Sequence, residues 1–323
     1  MTFPRRTLAV LAVAALGCTA PAGAPRERIT VPPGLTFRAV TDTLVAHGIV
    51  AHAGWFRFLA RVRGVDHRVQ AGVYDVPRGQ SAWTVLSALV TGRVATVKLT
   101  VPEGLNLSET ADLAARTLGV PADSFLAAAR DTALARALGI AAPTLEGFLL
   151  PETYQVPVGT SAREVVRQMG RQFAEAWDPA WDRIVAREGL TRRQAVTLAS
   201  IVEGEARAPE ERPVIAAVYL NRLRKGMLLQ ADPTVQYAIE LKTGKRKKRL
   251  YNKDYGFRSP YNTYLHPGLP PGPISSPGVA SLRAVVHPAE VPFLYFVADS
   301  TGHHVFSATY AQHLRAIRRL RGR

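Results

Sequence analysis

Two glutamates near the end of one helical segment are the first residues in the sequence that could do chemistry. In the segment from Arg193 to Glu205, at about 100° per residue, Leu198, Val202 and Glu205 share one face and Glu203 lies off it. A carboxyl on the core-facing side of a helix loses hydration, so its pKa rises and it can keep a proton near neutral pH. General acid catalysis of glycosidic cleavage requires such a group. The alternative is that the helix frays before Glu205 and leaves two exposed acids.

The chain around these glutamates predicts a mainly helical region with one long loop and one hairpin. Helices are predicted over about residues 191–206 and 213–225, and residues 121–176 are also mostly helical. Residues 243–280, rich in Gly, Pro, Tyr and Asn, predict a long structured loop, and such a loop in a compact domain is more often functional than idle. Residues 293–306 predict a hairpin, and a last helix follows it.

A Val-Pro-x-Gly pattern occurs three times in the N-terminal third of the chain, at residues 31–34, 76–79 and 101–104. Each copy precedes apolar residues at helical spacing, so each predicts a strand that ends at Val, a Pro-Gly turn and a helix. The predicted N-caps are Thr36, Ser81 and Ser108. Small strand and helix units of this kind resemble LysM-like modules, which bind amino-sugar polymers. Turns that only connect core elements are the alternative.

The N-terminus, MTFPRRTLAVLAVAALGC, has the pattern of a secretory signal. Two arginines precede an apolar run from Leu8 to Leu16, which is half of the roughly 20 residues that a spanning helix needs. Cys18 follows Ala-Leu-Gly, which resembles a lipoprotein signal whose cysteine becomes acylated. A chance cysteine beside an ordinary cleavage site is the alternative, and either interpretation predicts export.

Charge and composition narrow the choice of partner. The 323 residues carry 41 Lys and Arg against 25 Asp and Glu, a formal net charge of +16 that favours a polyanionic partner. Export makes DNA and RNA poor candidates, so the sequence predicts an anionic envelope surface and no nucleic acid. A single Cys excludes an intramolecular disulfide and a multi-Cys metal site. The eight His are scattered and are interpreted as structural or surface groups, so no metal and no cofactor are predicted.

A series of longer motifs follows in order along the second half of the chain. They are LASIVEGE at residues 198–205, NRL at 221–223, LQADPTVQY at 229–237, YNTY at 261–264, GLPPGPI at 268–274, SPG at 276–278, HP at 287–288 and YFVAD at 295–299. Together they resemble the endolytic murein transglycosylase family, also called the YceG-like or MltG family. The similarity extends from about Glu146 to the C-terminus and is looser from Val31 onward.

The resemblance implies a lyase that cuts the β-1,4 bond between N-acetylmuramic acid and N-acetylglucosamine inside peptidoglycan strands. It implies a 1,6-anhydro end as product and an end to strand elongation. By its place in the motif, Glu205 matches the family's catalytic glutamate, which would protonate the leaving oxygen and then take the proton of the muramic C6 hydroxyl. The family also implies work beside penicillin-binding proteins and glycan polymerases, anchored at the cytoplasmic membrane with the catalytic domain outside the cytoplasm. Members commonly use a spanning helix there, and the short lipoprotein-like segment departs from that pattern.

Further residues are candidates for supporting roles. Glu146 and Glu152 lie in the family-like segment EGFLLPETY, where one could stabilise positive charge, although both could cap helices or pair with Arg. Glu203 flanks the predicted site. The predicted substrate-binding residues carry groups that hydrogen-bond N-acetyl sugars, and they are Gln230, Asp232, Tyr261 and Asn262. Loop architecture is the alternative role for these four.

Two other functions stay open on the sequence alone. A non-catalytic envelope protein would bind glycan or anionic lipid through the basic clusters at residues 242–249 and 315–323, with Glu205 as a structural acid. A hydrolytic muramidase would share the same fold and would release reducing ends instead of anhydro ends.

The sequence predicts an α+β fold. The predicted organisation is a signal sequence at residues 1–18 with a lipoprotein-like Cys, a linker at 19–28, a small LysM-like region at 29–120 and a YceG-like catalytic domain at 121–323. The catalytic domain is predicted to be mainly helical, with the long loop and the β-hairpin.

Overall fold

A computed structural model describes residues 24–322, which form two compact units. The first contains residues 24–97 and 157–159, and the second contains residues 98–156 and 160–322. The predicted signal sequence and Cys18 lie outside the described residues. Between residues 24 and 322, none of the helices combines the length and the apolarity needed to cross a membrane.

The first unit packs a two-stranded sheet with three helices. Its elements are β1 (Arg26–Val31), α1 (Phe37–Ala46), α2 (Ala53–Val62), β2 (Gly72–Pro77) and α3 (Ala82–Thr91). The strands are antiparallel, and Ile29 lies directly opposite Tyr74. Alternate residues of a strand face the same side of the sheet, and Ile29 and Tyr74 both lie on the buried side. There they pack with Phe56 of α2 and Leu86 of α3. The LysM-like character of this region stays a prediction.

The predicted helix caps hold at two of the three Val-Pro-x-Gly turns. Thr36 and Ser81 accept hydrogen bonds from the first turns of α1 and α3. At the third turn the cap is Asn106, not Ser108, and Asn106 forms a capping box with Glu109. Asn106 is the better cap because its side chain reaches the N–H of Glu109 while the Glu109 carboxylate accepts the N–H of Asn106.

A fourth copy of the turn, at residues 156–159, is not among the copies predicted from the sequence. All four glycines take up the left-handed conformation, with φ between 77° and 85°, at Gly34, Gly79, Gly104 and Gly159. A residue with a Cβ rarely adopts this conformation, which explains the Gly in every copy. In the fourth copy Ser161 caps the next helix, as Thr36 and Ser81 do in theirs.

The remaining regular elements run from residue 96 to residue 321. They are β3 (Thr96–Thr100), α4 (Leu107–Leu118), α5 (Ala122–Ala129), α6 (Thr132–Ala137), β4 (Thr153–Pro157), α7 (Ala162–Ala176), α8 (Pro179–Arg187), α9 (Arg192–Glu205), α10 (Arg212–Arg224), α11 (Asp232–Thr243), α12 (Val279–Val286), β5 (Tyr295–Ala298), β6 (His304–Ser307) and α13 (Tyr310–Arg321). β3 pairs with β4, and β5 forms an antiparallel hairpin with β6. The predicted α+β class and the predicted hairpin are confirmed.

The long helix α9 lies at the centre of the second unit. Residues 195–202 are all buried, so α9 is enclosed on every side and not only along its predicted apolar stripe. It packs against α8, α10, α11 and α12. Because four helices pack against α9, the position of its C-terminal end is fixed within the second unit.

The division between the units differs from the boundary predicted at residue 120. Leu99, Leu107 and Val120 pack in the core of the second unit, together with Phe148 and Phe173. The apolar face of α4 is therefore buried against the helices that follow it in sequence. Alternation of short strands and helices continues through this point, so the local pattern does not reveal where one core ends.

The predicted loop at residues 243–280 is irregular but firmly anchored. It contains one short 3-10 turn, Asn252–Asp254, before α12 begins at its end. The fully buried Asn262 donates two hydrogen bonds to the carbonyls of Tyr255 and Phe257. The Thr263 hydroxyl lies 2.9 Å from that of Thr234 in α11. These buried polar contacts fix the loop against the start of α11.

Candidate active site

The end of α9 carries Glu205, and the sequence around it explains why the helix reaches that far. Thr191 and Gln194 form a capping box at the first turn, and the helix runs unbroken to Glu205. The alternative that it frays before Glu205 is therefore wrong. Gly204 lies directly against Pro233, since a Cβ added at Gly204 would stand 2.8 Å from the Pro233 Cβ. This close approach brings the start of α11 next to the Glu205 carboxyl.

The Glu205 carboxyl is partly buried and has a raised pKa. Burial raises that pKa to about 7, although a hydrogen bond from the Tyr219 hydroxyl, 2.9 Å from Oε1, opposes the rise. The charge of Asp232 raises it further, while the cationic Arg222 and the backbone N–H of Asp232 lower it. The direction of this shift is the one expected from the sequence. Near pH 7 both the acid and the carboxylate of Glu205 are well populated.

A cavity of about 280 Å³ opens beside Glu205. It is lined by α10, by the residues before and at the start of α11, by the long loop, by the hairpin and by α13. The lining residues are Glu205, Tyr219, Arg222, Leu229, Gln230, Asp232, Tyr264, Phe296, Val297, Ala298, His304 and His313. Polar groups from five separate stretches of chain thus converge on the Glu205 carboxyl.

Gln230 and Asp232, both predicted to bind substrate, line this cavity. Gln230 has a φ of 52°, so it is the one residue other than glycine with positive φ within residues 24–322. Its backbone N–H donates to the Thr263 carbonyl, which holds this conformation and leaves the side chain exposed. The Asp232 carboxylate accepts hydrogen bonds from the hydroxyls of Tyr264, at 2.6 Å, and Tyr255, at 3.4 Å.

Arg222 places a fixed positive charge in the wall of the cavity. Its buried guanidinium donates to the carbonyls of Leu294 at 2.7 Å and Leu229 at 2.6 Å. The guanidinium also lies over the Tyr295 ring, 5.4 Å from its centroid. Since carbonyls leave the net charge uncompensated, Arg222 can attract anionic groups in the cavity while tying the hairpin to the segment before α11.

Glu146 and Tyr261 line a different cavity, of about 390 Å³. Both oxygens of the buried Glu146 carboxyl accept from the Leu107 N–H, at 3.1 and 3.2 Å, and Tyr237 donates to Oε2 at 3.1 Å. Burial raises the Glu146 pKa to about 7, against the effect of these hydrogen bonds. The carboxyl caps the first turn of α4, which corresponds to the structural alternative weighed for it.

Three other predicted residues also lie outside the Glu205 cavity. Glu152 is exposed and accepts the N–H of Thr153. Glu203, predicted to meet solvent or to flank the site, has a side chain only 6% exposed, paired with Arg212 at 3.0 Å. Asn262 is committed to the loop contacts described above. Each has a structural role that its local sequence could not distinguish from a role in the site.

Several residues of the cavity cannot be identified from the sequence alone. Tyr219 carries no local signal, and Arg222 and Tyr264 appear only as parts of motifs. The scattered histidines of the sequence indicate structural or surface groups, yet His304 and His313 both line the cavity. Within the described part of the chain, no group of three or more His, Cys, Asp and Glu side chains is arranged to hold a metal ion.

Comparisons with known proteins agree with the motifs. An endolytic murein transglycosylase of Bacillus subtilis (strain 168) is 31% identical over 304 residues, which are 89% of this chain and 83% of that protein. A protein of the same name from Streptococcus pneumoniae serotype 2 (strain D39) is 29% identical over 308 residues, with 87% of this chain and 55% of that protein covered. The chain therefore spans about half the length of the pneumococcal relative.

The fold also has a counterpart among solved structures. A crystal structure of a YceG-like protein from Listeria monocytogenes superimposes with a TM-score of 0.61 at 29% identity, over 91% of this chain and 99% of that one. The sequence model of the YceG-like family matches residues 29–319, which include most of both compact units and every residue that lines the Glu205 cavity. On the extent of this match, the chain belongs to the YceG-like family.

Proposed function

We propose that this protein is an endolytic lytic transglycosylase of peptidoglycan. It cleaves the β-1,4 bond between N-acetylmuramic acid and N-acetylglucosamine within glycan strands and leaves a 1,6-anhydro-muramic end. The observation that carries the proposal is the Glu205 carboxyl, with a pKa of about 7, in a cavity lined by hydrogen-bonding groups. Relatives named endolytic murein transglycosylase, 28–31% identical over most of this chain, support the substrate and the reaction class.

In the first step, protonated Glu205 gives its proton to the glycosidic oxygen as the bond from that oxygen to C1 of the muramic residue breaks. A pKa near 7 suits this step because the acid form is present at neutral pH and still gives up its proton readily. Positive charge develops at C1 and on the ring oxygen. The Asp232 carboxylate, held by Tyr264 and Tyr255, and the acetamido group of the substrate are placed to offset that charge.

In the second step, the C6 hydroxyl oxygen of the same sugar bonds to C1 and loses its proton. Because the nucleophile belongs to the substrate, no second carboxylate is needed to activate water, unlike the pair used by hydrolases. The Glu205 carboxylate left by the first step is one group able to take this proton. Gln230, exposed at the cavity, supplies an amide that can hydrogen-bond a sugar substituent.

We also propose where the enzyme acts. The secretory pattern before residue 19 supports a position outside the cytoplasm, anchored at the cytoplasmic membrane through that segment or through a lipid on Cys18. Cleavage there would end the elongation of nascent strands beside glycan polymerases and penicillin-binding proteins. The small first unit, as a LysM-like region, would hold the glycan. The two basic clusters suit an anionic envelope surface.

Digestion of purified peptidoglycan with the wild-type protein and with Glu205→Gln tests the proposal. We expect anhydromuramic ends from the wild type, measured by mass spectrometry, and a loss of about 100- to 10,000-fold in the variant. Glu152→Gln is the matched control because Glu152 is exposed and does not line the cavity. Equal product from Glu205→Gln would remove Glu205 from the mechanism. Reducing ends would identify a hydrolytic muramidase, and no product from the wild type would favour a non-catalytic envelope protein.

A further inference from the structure

Helix α2 of the first unit carries large apolar side chains on the side that faces solvent. Trp55, Phe58 and Val62 are 58%, 56% and 64% exposed. Their spacing of three and four residues places them on one side of the helix. Phe56 and Ala60 lie on another side and are fully buried in the core of the unit. Helix α2 therefore has two apolar sides, and the core covers only one of them.

The exposed apolar side of α2 continues at the start of α3. The ring centroids of Trp55 and Phe58 lie 5.7 Å apart. Trp83, in the first turn of α3, is 46% exposed, and the Arg63 guanidinium lies over its ring, 4.6 Å from the centroid. We call Trp55, Phe58, Val62 and Trp83 the aromatic face. Single exposed apolar residues are common on protein surfaces, whereas a group of large ones marks a contact surface.

Positive charges flank the aromatic face. At about 100° per residue, Arg61 and Arg63 fall on opposite sides of the exposed apolar stripe of α2. Within residues 24–322, neither guanidinium forms an ion pair with a carboxylate of the chain. Between residues 43 and 65 the sequence contains no Asp, Glu, Asn or Gln. The face thus combines exposed rings with cations and offers no amide or carboxylate side chain of its own.

These properties favour a phospholipid surface over other occupants. Ligand sites for small polar molecules are concave and supply placed hydrogen-bonding groups, whereas α2 presents the outside of a helix. A second copy of the chain would bring its own arginines against Arg61 and Arg63, and like charges repel. Helices that lie in a membrane interface carry Trp and Phe on the apolar side and Arg or Lys beside them, because the rings enter the headgroup layer and the cations meet its phosphates.

The first unit follows the N-terminal segment after a short tether. Strand β1 begins at Arg26, eight residues after Cys18. Eight residues span at most about 29 Å when fully extended. With the segment before residue 19, or a lipid on Cys18, held in a membrane as proposed above, the first unit stays at the surface of that membrane. A tether this short gives the aromatic face a high effective concentration of lipid.

We propose that the aromatic face docks onto the membrane that holds the N-terminal segment. Its rings enter the interfacial layer of the bilayer, and Arg61 and Arg63 contact the phosphates of anionic phospholipids. The inference rests on the envelope location proposed above and not on the reaction at Glu205. A second point of attachment fixes the orientation of the first unit on the membrane, which a single tether leaves free.

Quenching of tryptophan fluorescence by brominated lipid tests the proposal. The full-length protein is reconstituted into vesicles of brominated phosphatidylcholine, with or without phosphatidylglycerol. The chain has four tryptophans, and Trp177 and Trp181 are buried in the core of the second unit. Only Trp55 and Trp83 are exposed enough to meet the bromine atoms, so quenching reports on the aromatic face. We expect the wild type to be quenched, and more strongly with phosphatidylglycerol present.

A double variant, Phe58→Gln with Val62→Gln, keeps both reporting tryptophans and removes apolar surface beside them. Gln is a good helix former and both positions are exposed, so we expect α2 to persist, as circular dichroism would show. The ratio of docked to undocked protein should fall about 10- to 100-fold. Leu241→Gln changes an equally exposed apolar residue of the second unit and should be quenched like the wild type.

A second double variant, Arg61→Gln with Arg63→Gln, tests the contribution of charge. It keeps the whole aromatic face, so quenching on phosphatidylcholine alone should match that of the wild type. The additional quenching caused by phosphatidylglycerol should be lost, because the cations that attract the anionic headgroups are gone. Additional quenching as large as in the wild type would overturn the contact assigned to these two arginines.

Several results would overturn docking. They are an unquenched wild type, or equal quenching in the wild type and in Phe58→Gln with Val62→Gln. A change in tryptophan emission on adding N-acetylglucosamine oligomers without lipid, lost in that double variant, would identify a sugar platform instead. Dimers in detergent that the double variant loses would identify an interface between two copies.

Formation of anhydromuramic ends by the wild type in detergent tests the proposed function separately, because that assay contains no membrane. Product without quenching overturns docking and leaves the proposed function intact. Quenching without product supports docking and overturns the proposed function. The two proposals therefore fail in different assays.

Discussion

Two buried glutamates of the second unit have pKa values of about 7, and their settings differ. Glu146 accepts the Leu107 N–H with both oxygens and the hydroxyl of Tyr237 with one of them, so the carboxyl serves as a cap for α4. Glu205 receives one hydroxyl, from Tyr219, and remains partly open to a cavity with Arg222 in its wall. A raised pKa therefore marks burial in both places, and only the open cavity with converging polar groups marks chemistry at one of them.

The largest expected difference between the two glutamates is in activity. Glu146→Gln keeps a carbonyl oxygen that can accept the Leu107 N–H, and Glu146 does not line the Glu205 cavity, so we expect its rate of anhydro-end formation to stay near that of the wild type. The Glu205→Gln variant in the same assay should lose about 100- to 10,000-fold. A comparable loss in Glu146→Gln would show that the cavity beside Glu146 takes part in the reaction. The distinction between Glu146 as a cap and Glu205 as an acid would then be wrong.

A smaller difference is expected in how stability depends on pH. Glu146 has a folded pKa of about 7, above the value of 4.5 expected when unfolded. The stability linked to its protonated form is fully present below pH 4.5 and is lost as pH rises through 7. Urea unfolding should therefore show the wild type losing up to about 3 kcal/mol relative to Glu146→Gln between pH 4.5 and 8. Glu205 is present in both proteins, so its own contribution cancels. Parallel curves for the two proteins would contradict the pKa assigned to Glu146.

The smallest expected effect comes from the tyrosine that contacts each glutamate. Tyr219→Phe removes the hydroxyl that stabilises the Glu205 carboxylate, so the Glu205 pKa rises. Activity declines at high pH as Glu205 loses its proton, and in this variant the decline moves up by less than about 1 pH unit. Tyr237→Phe makes the matching change at Glu146 and should leave the activity profile in place. Movement of that decline in Tyr237→Phe would mean that Glu146, not Glu205, is the group titrating in the rate.

Much of the fold follows from local sequence, because caps, turns and apolar spacing act within a few residues. The apolar spacing along α9 predicts that helix almost to its ends, and in the structure a capping box at Thr191 begins it. The hairpin is predicted for the same reason. The position of the boundary between the units is not predicted by local sequence, because it depends on which core buries α4.

In the candidate site, too, some residues can be predicted from the sequence and others cannot. Glu205, Gln230 and Asp232 are found from the sequence because they lie in motifs or at the buried end of a helix. Glu146 and Tyr261 carry equally suitable chemical groups in similar motifs, yet they line a separate cavity. No spacing rule relates residue 146 to residue 205, so side-chain chemistry alone cannot say which acids share a pocket.

The sequence by itself determined the helix that carries Glu205, the face on which Glu205 lies and the family to which its motifs are similar. Only the tertiary structure decided that Arg222 lines the same cavity as that carboxyl and that Glu211 contacts His304 there. It also decided that Glu146 caps the first turn of α4. The physical reason is range. Hydrogen bonds within a helix join residues four apart, whereas Glu211 and His304 are 93 residues apart and meet only once the hairpin packs against the start of α10.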